Sequence, residues 1–476
     1  MLTNLYLENF KRFSKANIPL GKINVFIGPN NSGKSSILGA IKLLLQTMGS
    51  FDEQVPLLLN GIFGDYGTYK DVVYNNHRGR PMKIKFALDM PDYSSSLSDK
   101  TTNAEYSLSY KFNTSRREIV LDNIGLTLDK EPLVEMKYSV ESRRYNLEKF
   151  GHVKIPAPYK TTISRDFRVR HFIPSPVTQR VGQSFSSKDT PVHKFSEEKL
   201  DKDITRIVMR IGRHTAEFLN SSDYLGPVRI SPQRTYMFSG ERRGRIGAAG
   251  ENMTSLLMKG SMLRRAQKSS GVLSKVNEWL VKSKMGRQIE ISEISDRHYE
   301  IKIENYFTGE KQNIADVGYG LSQVLPILIG GYSLTPSSMF MLEQPELHLH
   351  PKAQAELGDF VADMYESNIQ TIIETHSEHL ILRLQQHVAE GRIKHSDINF
   401  YYVHNNPRTS KRTIGKCLTH EIVPLPLDVN ALFINEWPEG FFPERLNESR
   451  KLALIRHKNS TSNKPADQLN EIARND

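Results

Sequence analysis

The octapeptide Gly28-Pro29-Asn30-Asn31-Ser32-Gly33-Lys34-Ser35 constrains this chain more than any other feature, because it fits GxxxxGK[ST] with ordered-looking sequence on both sides. Ile23 to Ile27 reads as a buried strand, and Ser36 to Leu45 reads as a helix with an apolar face. A glycine-bearing loop between strand and helix turns successive backbone N–H groups towards one point, where the helix dipole adds positive potential. Phosphate is the anion such a cradle fits. Gly28, Asn30, Asn31, Ser32, Gly33 and Ser36 are expected to surround β- and γ-phosphate, with Lys34 as a point charge and the Ser35 hydroxyl as a Mg²⁺ ligand. The loop reads phosphates and not the base.

With 476 residues the chain can bury a large core, and two or three structural units are expected. Its 64 Lys and Arg against 53 Asp and Glu leave a net charge of +11, which favours phosphate-bearing partners such as nucleic acid. The single Cys417 excludes an intrachain disulfide and a multi-cysteine metal cluster. Met1 to Leu5 lacks the basic and apolar regions of a secretory signal, and no apolar run reaches membrane-spanning length. A soluble, cytoplasmic protein without a membrane partner is the expectation.

Along the chain, Leu2 to Phe10 alternates as a strand, and short alternating segments from Met82 to Glu135 read as an antiparallel sheet beside the P-loop. Leu200 to Leu219 carries Ile204, Ile207, Val208, Ile211 and Phe218 at helical spacing. Gln288 to Asn305 returns to strand alternation, and Leu321 to Leu334 is helical. Ser338 to Val403 alternates strand, helix, strand, helix, strand, which is the pattern of a parallel sheet. Ser94 to Ser96 and Ser184 to Pro191 read as flexible loops, and the last twenty residues as a disordered tail. The expected divisions are 1–90, 91–310, 311–405, 406–456 and 457–476.

Met339-Phe340-Met341-Leu342 ends in Glu343, as a buried strand delivering an acid would, and Gln344-Pro345-Glu346-Leu347-His348-Leu349-His350-Pro351 follows. Later comes Ile372-Ile373-Glu374-Thr375-His376-Ser377-Glu378-His379. His348 with His350, or Glu374 with His376, has a spacing that suits Zn²⁺, but a P-loop protein offers both segments other work. In this order the motifs resemble the ABC-type ATPases of the SMC, RecF and OLD (overcoming lysogenization defect) group. The resemblance covers roughly residues 1–75 and 310–405. Tyr224 to Arg229 and the Trp437-Pro438-Glu439-Gly440-Phe441-Phe442 stretch also resemble segments of one branch of these ATPases.

The resemblance implies an α/β fold: an ABC-type ATPase head with a mixed sheet, an antiparallel β subdomain and an inserted, mainly helical lobe. It implies ATP and Mg²⁺ as ligands, with Lys34 and Ser35 as Walker A and Glu343 as the Walker B acid that holds Mg²⁺ with Ser35. His348 to Pro351 takes the D-loop position and His376 that of the switch histidine. Gly318, Gly320 and Ser322 fall in the signature loop, which in the family binds ATP of the opposite subunit, so a homodimer or higher homo-oligomer through the ATP sites is implied. Lys11-Arg12-Phe13 is expected near adenine, and Asp65-Tyr66-Gly67 near the Q-loop.

One departure bears on mechanism. The family follows its Walker B acid with a catalytic Glu, and here that residue is Gln344. An amide orients water but cannot take its proton, so Glu346 is expected as general base, with His376 the other candidate and turnover slow. The roughly seventy residues after Val403 are too few for the Toprim nuclease that OLD proteins carry, which puts any nuclease effector on a separate chain.

The middle of the chain is basic. Arg143, Arg144, Lys149, Lys154, Lys160, Arg165, Arg168 and Arg170 interleave with Tyr145, Phe150, Tyr159 and Phe167, and a second group holds Arg229, Arg234, Arg242, Arg243, Arg245, Arg264, Arg265 and Lys268. Such mixtures can track a phosphate backbone and stack on bases. No sustained heptads appear, so a compact lobe is expected in place of a coiled-coil arm. The resemblance thus implies an ATP-driven sensor controlling a separate effector in defence against phage. The alternatives are a RecF- or SMC-type ATPase acting on DNA, and a nucleotide-binding scaffold that does not hydrolyse.

Overall fold

The computed structural model describes residues 1–91, 102–154, 167–176, 202–237, 244–262, 271–295, 297–408, 417–435 and 451. Two compact units divide the chain, Met1–Leu432 and Phe433–Asp476. In the second, 433–435 and 451 are described, and the Trp-Pro-Glu-Gly-Phe-Phe stretch and the expected tail lie outside the described residues. The expected loops at Ser94–Ser96 and Ser184–Pro191 lie outside them too.

The first unit is mixed α/β. Its central sheet has six strands in the order Asp223–Leu225, Met339–Glu343, Gln370–Glu374, Ile23–Ile27, Ile398–Arg408, Cys417–Pro424. All neighbours pair in parallel except the last two strands, which pair antiparallel. Ile23–Ile27 is buried at every position, as a strand covered on both faces must be. The 405/406 division expected from the sequence falls inside the strand Ile398–Arg408.

An eight-stranded sheet builds the second layer, running from Val153–Lys154 through Met82–Met90 and Leu2–Phe10 to Phe13–Pro19. Its neighbours are antiparallel throughout. This sheet begins at the N-terminus and so crosses the 90/91 division. Between the layers runs the P-loop helix Lys34–Met48, buried at every position from Ile37 to Thr47. Phe26, Leu38, Leu44, Phe86, Tyr106 and Phe218 belong to the one apolar cluster that joins both sheets to this helix. The helix Lys202–Ser221 closes that cluster through Val208, Ile211, Phe218 and Leu219.

Helices Met253–Met262, Gly271–Ser283, Tyr319–Tyr332, Pro351–Glu366 and Glu378–Ala389 pack together, and Trp279 donates its indole N–H to the Glu356 carbonyl at 2.8 Å. Among the described residues no helix is long and apolar enough to cross a membrane.

Candidate functional site: a phosphate cradle

At Gly28 the P-loop leaves its strand with φ +139°, and a Cβ there would lie 2.1 Å from the Val403 carbonyl oxygen, so only glycine fits. The loop then turns through Asn31 at φ +63° and Gly33 at φ +111° into the helix. The buried Lys34 ammonium donates to the carbonyls of Gly28 and Pro29, both at 2.9 Å. Burial pushes its pKa down, while the Glu374 and Glu346 carboxylates pull it back up. A cavity of about 1110 Å³ opens over Asn30 to Ser36, with Lys11, Arg12, Gln344, Glu374 and His420 in its wall.

The acid that meets the P-loop serine is Glu374. Its carboxylate accepts the Ser35 hydroxyl at 2.9 Å and lies 3.8 Å from the Lys34 ammonium. Glu343, expected there from its place after an apolar strand, pairs instead with Lys42 at 2.7 Å and accepts the Tyr224 hydroxyl at 3.0 Å. Strand order is the reason: Gln370–Glu374 lies between Met339–Glu343 and the P-loop strand, with Glu343 opposite Glu374 in register. Lys42 sits on a helix buried on all sides, and a buried ammonium needs a carboxylate partner. Burial raises the Glu374 pKa, and the neighbouring Glu343 charge raises it further. A hydroxyl and a carboxylate beside a phosphate cradle are the hard oxygen donors that Mg²⁺ takes, so Ser35 and Glu374 fit that ion.

Gln344 faces the cavity. Its backbone is left-handed at φ +45° and its N–H donates to the Glu374 carbonyl at 2.7 Å. Glu346, expected as general base, lies outside the cavity wall: it is buried, and its two oxygens accept the His376 N–H at 2.6 Å and the Thr375 hydroxyl at 2.8 Å. Burial raises its pKa. Glu346 thus fixes the backbone that carries His376. Burial and the Lys34 charge hold the imidazole of His376 below its ordinary pKa, which favours its neutral form.

The segment expected as the signature lies elsewhere. Gly318 caps the helix Tyr319–Tyr332 with open space around its Cα, and the Ser322 hydroxyl donates back to the Tyr319 carbonyl at 2.7 Å. A Cβ on Gly320 would lie 2.5 Å from the His348 carbonyl oxygen, so the two segments expected as signature and D-loop pack backbone to backbone. Tyr319 is exposed and meets the His348 ring edge-on at 4.9 Å between centroids. His350 caps the next helix, accepting the Lys352 N–H at 3.2 Å. Gly318, Gly320 and Ser322 lie outside the wall of the P-loop cavity.

His420 was not picked out by the sequence. Its Nδ1 lies 2.8 Å from the Ser32 carbonyl oxygen, and because a carbonyl only accepts, Nδ1 carries the proton. It arrives on the strand Cys417–Pro424, whose alternation offers no hint of a phosphate site. Lys11 and Arg12 do line the cavity, and Lys11 lies 5.0 Å over the Tyr66 ring.

In the second basic group, the three described arginines bond within the fold. Arg229 is buried against the Glu343 and Gln344 carbonyls, Arg245 bonds the carbonyls of Leu219 and Asn220, and Arg234 pairs with Asp316. In the first group, Arg143, Arg144, Arg168 and Arg170 line a separate cavity of about 860 Å³ with Tyr145 and Phe167, while Lys149 pairs with Glu135. Tyr159, Lys160, Arg165, Arg242, Arg243, Arg264, Arg265 and Lys268 lie outside the described residues.

Residues 23–383 match the family described as "AAA domain, putative AbiEii toxin, Type IV TA system". An uncharacterized protein of Methanocaldococcus jannaschii is 32% identical over 92 residues, which are 18% of this chain and 42% of that protein, so less than half of the relative's length is spanned. Among solved structures, an SMC head bound to the C-winged helix domain of ScpA is similar with a TM-score of 0.45 at 11% identity, over 90% of this chain and 98% of that one. The SMC head domain from Thermotoga maritima gives a TM-score of 0.38 at 11% identity, over 90% and 99%. The family match takes in well over half of the residues, and the chain belongs to this family of AAA-type, ATP-binding ATPase domains.

Proposed function

We propose that this ATPase binds Mg²⁺ and ATP between two copies of the chain, hydrolyses ATP slowly, and uses the ATP-held assembly to control a separate effector, a nuclease, in bacterial defence against phage. The observation that carries the slow turnover is Gln344: the side chain at the cavity wall where water must lose a proton is an amide. Each Glu346 oxygen already accepts a hydrogen bond, from the Thr375 hydroxyl or the His376 N–H, which supports a structural role for it over that of base. Lys34 and the loop N–H groups hold the phosphates, Ser35 and Glu374 hold the cation, Gln344 orients water, and neutral His376 accepts or donates a hydrogen bond near the γ-phosphate. Mg²⁺ held by Ser35 and Glu374 would supply charge neutralisation to the phosphates.

The two-copy reading rests on the signature segment lying outside the wall of its own chain's cavity, free to face a second chain's ATP. The effector role rests on the family resemblance, and the family description itself names a toxin. Co-purification of the full chain with a nuclease encoded beside it, with and without ATP, tests that role; no association in either state rejects it. A second reading, a DNA-acting ATPase, is favoured by the cavity that Arg143, Arg144, Arg168 and Arg170 line. Turnover accelerated by duplex DNA, and lost when these arginines are replaced by Glu, would support it over the first.

A further inference from the structure

Three side chains at five-residue intervals reach two different motifs from one short stretch. Tyr224 donates its hydroxyl to Glu343 at 3.0 Å. Arg229 directs Nη2 at the carbonyls of Glu343 and Gln344, at 3.4 and 3.3 Å. Arg234 forms a two-pronged pair with Asp316, Nη1 to Oδ2 at 2.9 Å and Nη2 to Oδ1 at 2.5 Å, two residues before Gly318. We infer that residues 224–234 form a strap that couples the signature loop to the Gln344 turn, with Tyr224, Arg229 and Arg234 as its positioning residues. This rests on the two-copy reading of the site.

Arg229 is the strongest sign of such a role. Its side chain is 3% exposed, and Nε and Nη1 have no hydrogen-bond partner among the described residues. A buried guanidinium satisfied by two long bonds is a poor way to stabilise a fold, since apolar side chains of similar volume do it at lower desolvation cost. What the guanidinium achieves is placement: it pins the carbonyl side of a residue held at φ +45°, whose side chain faces the phosphate cavity.

A coupling element must also be stiff. Gly226 N–H donates to the Ala248 carbonyl at 2.7 Å and Ile230 N–H to the Ala249 carbonyl at 3.0 Å, so the strap is bonded on both sides of Arg229. At its far end the Asn313 amide donates to the Arg234 carbonyl at 3.0 Å, a second tie to the signature side. A displacement of Asp316 is therefore carried to the Gln344 turn through bonded backbone, and contact of the signature loop with a second copy's ATP would reset the water-orienting amide.

Arg234 and Asp316 are exposed enough to change without disturbing a core, which allows a charge-exchange test in the full-length chain. Arg234→Asp and Asp316→Arg should each lower turnover by about tenfold and flatten the sigmoidal ATP dependence that the two-copy reading expects of wild type, while a fluorescent ATP analogue binds within about twofold of wild type. The double exchange should restore both. Single variants with wild-type turnover, or a double variant as slow as the singles, overturn the strap. Light scattering separates the two levels of the argument: if wild type and variants associate with ATP and turn over alike, the strap alone fails. If wild type does not associate with ATP, the two-copy reading fails and the strap with it.

Discussion

Glu374 accepts the Ser35 hydroxyl at 2.9 Å from the strand beside the P-loop strand, so the acid nearest the nucleotide cradle comes from the Glu-Thr-His-Ser segment and not from the strand ending in Glu343. Glu374→Gln keeps the size and one acceptor but removes the charge. It is expected to raise the Mg²⁺ concentration for half-maximal ATP binding by about tenfold. A Mg²⁺ titration at fixed ATP checks this, and an unchanged midpoint rejects the assignment. The raised pKa gives the sign of the pH effect: protons compete with Mg²⁺ at a higher pH than for an ordinary carboxylate, so Mg²⁺ affinity falls on acidification.

Glu346 separates a base from a staple. As a staple, Glu346→Gln loses one of two bonds to residues 375–376, lowers stability by about 1–3 kcal/mol and slows turnover by displacing His376. The acid limb of the pH–rate profile stays where it is. A lost acid limb, with unchanged melting temperature, would return Glu346 to the role of base.

The sequence made the P-loop legible because its geometry is local: strand, turn and helix are consecutive. The parallel strands were legible from apolar runs of the right length. The partner of Ser35 was not, because it depends on which strand inserts next to Ile23–Ile27, a long-range choice that leaves Glu343 and Glu374 equally plausible as strand-ending acids. Lys42 carried a usable signal, a lone charge within the apolar stretch Ile37 to Leu45 that had to find an acid. Arg229 and Arg245 read as a phosphate-seeking cluster because charge alone does not reveal burial.

Away from the cradle, Glu356 and Asp359 form a pH-sensitive pair. Burial and the Asp359 carboxylate push Glu356 up to about 7, while Asp359, against the cost of burial, is held at about 2 by hydrogen bonds from His387 and Glu356. Glu356 therefore binds its proton more tightly in the folded chain than in the unfolded one. Stability from this group is full at acid pH, below the unfolded value, and is lost as pH rises through about 7. Asp359 contributes in the opposite sense: its stabilisation is full above the unfolded value and is lost as pH falls towards 2. Glu356→Gln is expected to melt higher than wild type at pH 8 and to flatten the slope between pH 6 and 8. Equal melting temperatures at pH 8 would reject the shared-proton account.

Gly320 and Gly318 divide packing from contact. Gly320→Ala drives a methyl to 2.5 Å from the His348 carbonyl and should cost about 1–3 kcal/mol in thermal unfolding. Gly318→Ala meets open space, so it should leave the melting temperature unchanged while weakening ATP-dependent association. The reverse pattern would place the signature contact at Gly320.

The most direct test of the account is steady-state ATP hydrolysis by the purified chain over a range of protein concentrations, with Lys34→Ala as the blank. A slow rate per chain that rises with protein concentration and vanishes in Lys34→Ala is the predicted result. A rate per chain independent of protein concentration would contradict hydrolysis between two copies, and no activity above the blank would contradict the ATPase itself.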